Sequence, residues 1–257
     1  MTKREIQKKG QTHWDNVALW YDAHLEEGND TLQAKVIAPN LLRILAPTKS
    51  HTILDLACGQ GYFTRLVEES GARVTGIDLS AKLIAIAKKK QSVSVYKTAP
   101  AHKTGEKDNF FDTIFTVLAF ENIANIDEVV GEITRIMKKS GRFILVLLHP
   151  AFRIPKHADW GFDEAKKIQY RKVYKYLSEI SIPIEQAPFK GAKSITTTTF
   201  HRPLQWYMKI FRKHGLVVSG MEEWISHKVS QSGPRQKAED IARKEFPMFL
   251  CLEVMKK

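Results

Sequence analysis

The chain has 257 residues, a formal net charge of +12, 43% hydrophobic residues and two cysteines, Cys58 and Cys251. That length is enough for one sizeable core with at most a small added lobe. Two cysteines exclude a disulfide framework, no apolar run reaches the roughly 20 residues that span a bilayer, and the first residues lack the apolar segment of a signal peptide, so a reducing cytoplasm is the expected setting. The basic balance invites a polyanion such as RNA, but the lysine and arginine runs are scattered (Lys8-Lys9, Lys88 to Lys90, Lys138-Lys139, Lys166-Lys167, Arg171-Lys172), which also describes a well-solvated surface.

Residues 1–10 read as a polar tail. Trp14, Val17, Ala18 and Tyr21 then fall on one face of a helix at i, i+3, i+4, i+7. Asp30 or Thr31 is placed to cap a second helix carrying Leu32, Val36, Ile37, Leu41, Leu42 and Leu45, which Pro47 ends. His51 to Leu56 is an apolar run of strand length. It is followed by Gly59 and Gly61 around a single residue, and then by Phe63, Leu66 and Val67 at helical spacing. The pattern is strand, glycine turn, helix. Glycines let the backbone turn sharply and approach a ligand, and the helix start offers free N–H groups to an anionic ligand group.

The third glycine of a dinucleotide turn, G-x-G-x-x-G, is here Thr64, and Asp55 stands at the strand end, where it would repel a phosphate but suit an ammonium group. S-adenosylmethionine (SAM) has such an amine and no phosphate. Arg73 to Asp78 reads as the next strand, with Ser80 as the N-cap of a helix bearing Leu83, Ile84, Ile86 and Ala87. An acid about 20 residues past the glycine turn is placed for ribose hydroxyls; Asp78 could equally be a solvated cap.

Ser92 to Lys97 and Thr113 to Phe120 read as further strands, the second nearly all apolar or β-branched. Asp127 is expected to cap a helix with Val129, Val130, Ile133, Ile136 and Met137 inward and Gly141 at its end, before a buried strand from Phe143 to Leu148. Ile195 to Phe200 reads as a strand, and Pro203 opens a helix with Leu204, Tyr207, Met208 and Phe211 that Gly215 closes. Two last strands, Leu216 to Trp224 and Pro247 to Val254, flank a polar stretch with a helix expected over 234–243.

Leu54 to Gly61 resembles the first motif of the class I SAM-dependent methyltransferases, and Gly76 to Ser80 resembles their second. Asp108 to Asp112 and Ile136 to Phe143 are similar to the approaches to their fourth and fifth strands. The likeness covers about Trp14 to Phe152 and returns at Phe200 to Gly215. It implies a Rossmann-like, doubly wound α/β fold: a mostly parallel seven-stranded sheet with an antiparallel last strand and an inserted roof over the substrate. The parts expected are a tail and lid over 1–29, a SAM-binding core over 30–152, an insert over 153–194 and the rest of the core over 195–257. In the family a segment like Trp14 to Asp22 closes over the cofactor.

The cofactor residues this implies are Asp55, Ala57, Gly59, Gly61, Asp78, Leu79, Ala101, His102 and Leu118. One departure is clear: the family often has an acid where Pro100 stands, so the adenine amine needs another partner, a backbone group or His102.

Ligands of an open α/β sheet lie outside the carboxyl ends of its strands. Glu121 follows the fourth strand, His149 the fifth, and His201 the strand that returns from the insert. The reading here is His149 as general base or orienting group, Glu121 polarising it or the acceptor, and His201 as the second choice of base. His149 could instead be a hydrogen-bonded strand cap. The histidines and Glu121 lack the spacing of a metal site.

The insert, with Trp160, Tyr170, Tyr174, Tyr176 and many basic residues, could roof an acceptor pocket or stack on RNA. Neither cysteine is placed for a covalent pyrimidine adduct, and the Asn/Asp-Pro-Pro-Tyr motif of base-amine methylation is absent. Three functions stay open: methyl transfer to an oxygen or nitrogen of a small molecule, an RNA methyltransferase, and a SAM-fold protein without catalysis.

Overall fold

The computed structural model describes residues 14–26, 30–186 and 195–257. The tail expected over 1–10 and the end of the insert lie outside these residues. Seven strands form one sheet: β1 (Thr52–Leu56), β2 (Arg73–Asp78), β3 (Val95–Thr98), β4 (Phe111–Val117), β5 (Met137–Leu148), β10 (Leu216–Trp224) and β11 (Phe249–Lys256). Their spatial order is β10-β11-β5-β4-β1-β2-β3. Pairing is parallel from β3 through β5, and β11 runs antiparallel to both β5 and β10. This is the doubly wound sheet with an antiparallel last strand that the motifs implied. The order reverses between β1 and β4, and ligands bind at such a switch point.

Alternate residues of the central strands feed two cores. Leu54, Ile114, Phe143 and Leu145 pack on one face, with Val129, Ile133 and Ile136 of α5 (Ile126–Ile136) and Tyr207 and Phe211 of α6 (Leu204–Lys213). Ile53, Phe115, Ile144 and Val146 pack on the other, with Leu41 and Leu45 of α2 (Ala38–Leu45) and Val67 of α3 (Tyr62–Glu68). A period of two with both faces covered explains why these strands read as unbroken apolar runs.

Local chemistry sets the ends. Thr31 Oγ1 accepts from Ala34 N (3.1 Å), and the chain enters α2 through a wide turn over Gln33–Ile37. Ser80 Oγ accepts from Leu83 N (3.1 Å) and caps α4 (Ala81–Lys89). Three expectations are corrected. Asn125, not Asp127, stands at the N-cap of α5; Asp127 instead binds Lys213 Nζ (2.6 Å) and His214 Nε2 (2.7 Å) and ties α5 to α6. Gly141 does not end α5, which stops at Ile136; Gly141 lies inside β5, where an added Cβ would meet Asp112 O at 3.1 Å. And Ile195 to Phe200 forms β9 (Ile195–His201), which pairs with β8 (Ile180–Gln186) of the insert and not with the large sheet. The insert also holds a hairpin of β6 (Ala158–Asp163) and β7 (Ile168–Val173), against which α7 (Gln236–Glu245) packs. Among the described residues no helix is long and apolar enough to cross a membrane.

Candidate active site

The turn after β1 is held by acids and glycines. Ala57, Gly59 and Gly61 all have positive φ (62°, 56° and 79°), and Cys58 N donates to Ile77 O across to β2. Asp78 Oδ2 accepts from Gly59 N (2.9 Å) and Oδ1 from Ser80 N (2.8 Å), so one carboxylate fixes both the glycine turn and the start of α4. A carboxylate has about four lone-pair sites; each oxygen of Asp78 keeps acceptor capacity. Asp55 is buried, and Thr64 Oγ1 donates to its Oδ2 (2.6 Å). Burial, with the Asp78 charge adding, raises the Asp55 carboxyl to about 7 despite that bond. Thr64, which breaks the dinucleotide pattern, thus serves the acid four residues before Gly59.

An N-terminal segment packs on this turn. Residues Trp14–Asn16 make one tight turn, and α1 (Ala18–Glu26) follows. Trp14 packs edge-on against Tyr21 (5.4 Å between centroids), and an added Cβ at Gly59 would touch the Tyr21 ring at 3.4 Å. Burial and the two acids push the Tyr21 phenol up to about 12. Asp15 Oδ1 binds Ser80 Oγ and accepts from Lys82 N (3.2 Å), and Asp22 pairs with Lys90 (2.5 Å).

Across the edge, Glu121 sits in a single tight turn over Phe120–Asn122 after β4. Its Oε1 accepts from Leu148 N (2.9 Å), its buried Oε2 has no protein partner, and burial raises the carboxyl to about 7. Arg202 is buried beside it and donates to Phe120 O (3.1 Å), Ile123 O (2.7 Å) and Ala124 O (2.9 Å), clamping the β4–α5 loop to the end of β9. The neighbouring His201 engages Tyr176 O through Nε2 (2.8 Å), which assigns the proton to Nε2 and the lone pair to Nδ1. His149 differs: Nδ1 accepts from Ala151 N (3.2 Å), and Nε2 donates to Glu223 Oε1 (2.7 Å) on β10. Both its ring nitrogens are used within the protein. Burial lowers both imidazoles and keeps them neutral near pH 7.

Comparison with known proteins decides the family. The methyltransferase domain model matches residues 54–145. A ubiquinone biosynthesis O-methyltransferase of Pelagibacter ubique is 32% identical over 60% of this chain and 68% of its own length. The chain belongs to the SAM-dependent methyltransferases. A demethylmenaquinone methyltransferase of Thermotoga maritima is 30% identical over 57% of this chain and 64% of its own, and a malonyl-[acyl-carrier protein] O-methyltransferase of Hamiltonella defensa is 30% identical over 46% of each. The chain thus spans about half to two thirds of these two relatives. A SAM-dependent methyltransferase structure from Mesorhizobium loti superposes with a TM-score of 0.65 at 23% identity, covering 87% of this chain and 97% of that one, which bears on the fold alone.

SAM is the cofactor of this family, and the turn fits it. Two acids, Asp55 and Asp78, face the glycine turn, suiting the cationic amine and the ribose hydroxyls of SAM. Of the other cofactor residues read from sequence, Leu118 takes φ of 52°, rare for a branched side chain, and its O accepts from Asn122 Nδ2 (3.1 Å). Leu79 is exposed beyond Asp78, and Ala101 and exposed His102 lie on the turn closed by Lys103 N to Pro100 O. The sequence reading missed Thr64, Asp15 and Arg202. Asp15 and Arg202 are ordinary polar residues whose partners are distant in the chain, and only Thr64, near Asp55, carried a local signal in its departure from the glycine pattern.

Proposed function

We propose that the chain transfers a methyl group from SAM to an oxygen or nitrogen of a small-molecule acceptor. The observation that carries this is the opposition, across one sheet edge, of an acidic glycine turn and a second wall built by Glu121, Arg202 and His201. The relatives act, by name, on demethylmenaquinone, on a malonyl-carrier conjugate and in ubiquinone biosynthesis, and they support a small acceptor. SAM supplies an electrophilic methyl carbon, so much of the rate comes from aligning the acceptor with it. Asp78 and the turn hold the cofactor; the lid residues Trp14 and Tyr21 exclude water from above Gly59.

The base we propose is His201 through Nδ1, because its other nitrogen is oriented by the Tyr176 carbonyl while His149 spends both. His149 then positions the loop after β5, and Glu121, whose Oε2 lacks a protein partner, orients the acceptor or takes up its proton. The described part of the insert, 153–186, roofs the acceptor. A cytoplasmic location accords with the two free thiols. The test is incubation with labelled SAM of a small-molecule extract and, separately, total RNA, followed by mass spectrometry. Label is expected in small molecules; label confined to RNA overturns the reading.

A further inference from the structure

Just beyond β5, on the same sheet edge as the glycine turn, two arginines meet around one indole, with Arg243 near enough to repel one of them. The Arg153 guanidinium lies 5.5 Å and that of Arg171 4.9 Å from the centre of the Trp160 ring. Phe246 packs edge-on against Trp160 (5.5 Å) and against Phe152 (5.5 Å), and Phe152 stacks on His149 (4.7 Å). Arg153 donates through Nε to Pro247 O (3.3 Å) and through Nη2 to Phe246 O (3.3 Å). Arg171 donates through Nε to Phe152 O (2.8 Å) and through Nη2 to Ala158 O (3.3 Å). Arg243 reaches Ser230 Oγ through Nε (3.0 Å). Among the described residues none of the three has a carboxylate within ion-pair distance. The acid that acts on Arg171 is Asp159, whose Oδ1 accepts from Trp160 N (2.7 Å).

Both Arg153 and Arg171 are thus fixed by backbone carbonyls, with Nη1 left over on each. Half-buried cations that crowd together without an ion-pair contact cost free energy. Arg153 shows it: burial, with Arg171 and Arg243 adding repulsion, pushes its guanidinium down to about 10. An oxyanion that takes up the spare nitrogens relieves that repulsion and gains charge-assisted hydrogen bonds from rigid donors.

We infer that Arg153 and Arg171, against Trp160, form a binding site for an oxyanion, carboxylate or phosphate, carried by the methyl acceptor. The acceptor is an acid whose charged end docks on the insert, so that its reacting atom is presented at the edge lined by Glu121 and His201. A small acid is favoured over a nucleic-acid backbone because the cluster is a single half-enclosed point, whereas the rest of the positive charge is scattered over the sequence. Assignment of the anion to the acceptor rests on the proposed function; the anion site does not.

The test titrates the full chain with inorganic phosphate and with benzoate, by calorimetry and thermal shift, and with SAM separately. One saturable anion site is expected; the tighter arm tells a phosphorylated acceptor from a carboxylic acid. Arg153→Gln and Arg171→Gln are each expected to weaken it at least about tenfold, with SAM affinity kept, and Arg43→Gln, whose partner is Glu222, to leave it unchanged. Should Arg153→Gln unfold, Arg171→Gln decides. No saturable binding to the wild-type chain, or equal binding by the folded Arg171→Gln variant, overturns the site. Displacement of both anions by a single-stranded RNA oligomer, with steep salt dependence, gives the cluster to a nucleic acid and overturns the small acid. Anion binding without SAM binding removes the acceptor assignment and the proposed function together, leaving the site.

Discussion

Asp55 is a buried carboxyl group just before the glycine turn. Among the described residues its side-chain partner is Thr64, and burial lifts it from 3.8 to about 7. The folded chain therefore binds this proton more tightly than the unfolded one. The stability it contributes is full below about pH 4 and is lost as pH rises through about 7. A shift of that size is on the order of a few kcal/mol. Asp55→Asn should accordingly melt higher than wild type at pH 8, with the gap closing by pH 4, while its affinity for SAM falls; melting curves across that range, free of ligand, check the first part and calorimetry the second. A gap independent of pH would refute the assignment of the raised group to Asp55. For His201, loss of a transition-state base costs typically about 10²–10⁴-fold in turnover. His201→Ala should show that loss with SAM binding unchanged, and a pH–rate profile that loses its acidic limb separates a proton acceptor from a packing residue.

At the scale of elements, the glycine turn and the Arg202 clamp are the two joints. A Cβ on Gly61 would lie 2.6 Å from Tyr96 Oη, at a φ of 79° that costs an L residue roughly 1–2 kcal/mol. Gly61→Ala should lower both stability and SAM affinity, and adding Tyr96→Phe should restore part of the stability; no recovery in the double variant would put the whole cost in the backbone. Arg202 makes three charge-assisted bonds to the β4–α5 loop, and Arg202→Ala should cost at least about 3 kcal/mol in denaturant unfolding. The glycine turn was legible in the sequence because its signal is local: Gly59, Gly61 and Asp78 fall within twenty residues. The packing of Arg202 beside Glu121 was not, since Arg202 reaches back about eighty positions and β9 finds its partner within the insert. Asp127 was misread for the same reason, because a capping acid and an interhelical acid look alike until Lys213 and His214 are in place. His149 was legible as a residue at the edge; that Glu223 of β10 claims its free nitrogen was not.

For the whole molecule, the +12 charge makes a separate claim. If it serves RNA, binding should weaken with salt at a log–log slope of about −0.7 per neutralised phosphate; a filter-binding series from low to physiological salt with a flat or absent response would leave the charge as a property of the solvated surface. The order of strands carries a further consequence, one of time. β10 precedes β11 in the chain, yet β11 is what joins it to β5. From the moment Leu148 leaves a ribosome until Phe249 does, the outer edge of β5 stands without its neighbour. At synthesis rates of about 5–20 residues per second that wait is on the order of 5–20 s, long compared with hairpin closure. Through it, a row of apolar residues from Phe143 to Leu147 is open to pairing with any other strand, including the same segment of a second nascent chain. Yield in the cell should then depend on how crowded the translating message is, and slowing initiation should raise the soluble fraction more than any change at the glycine turn.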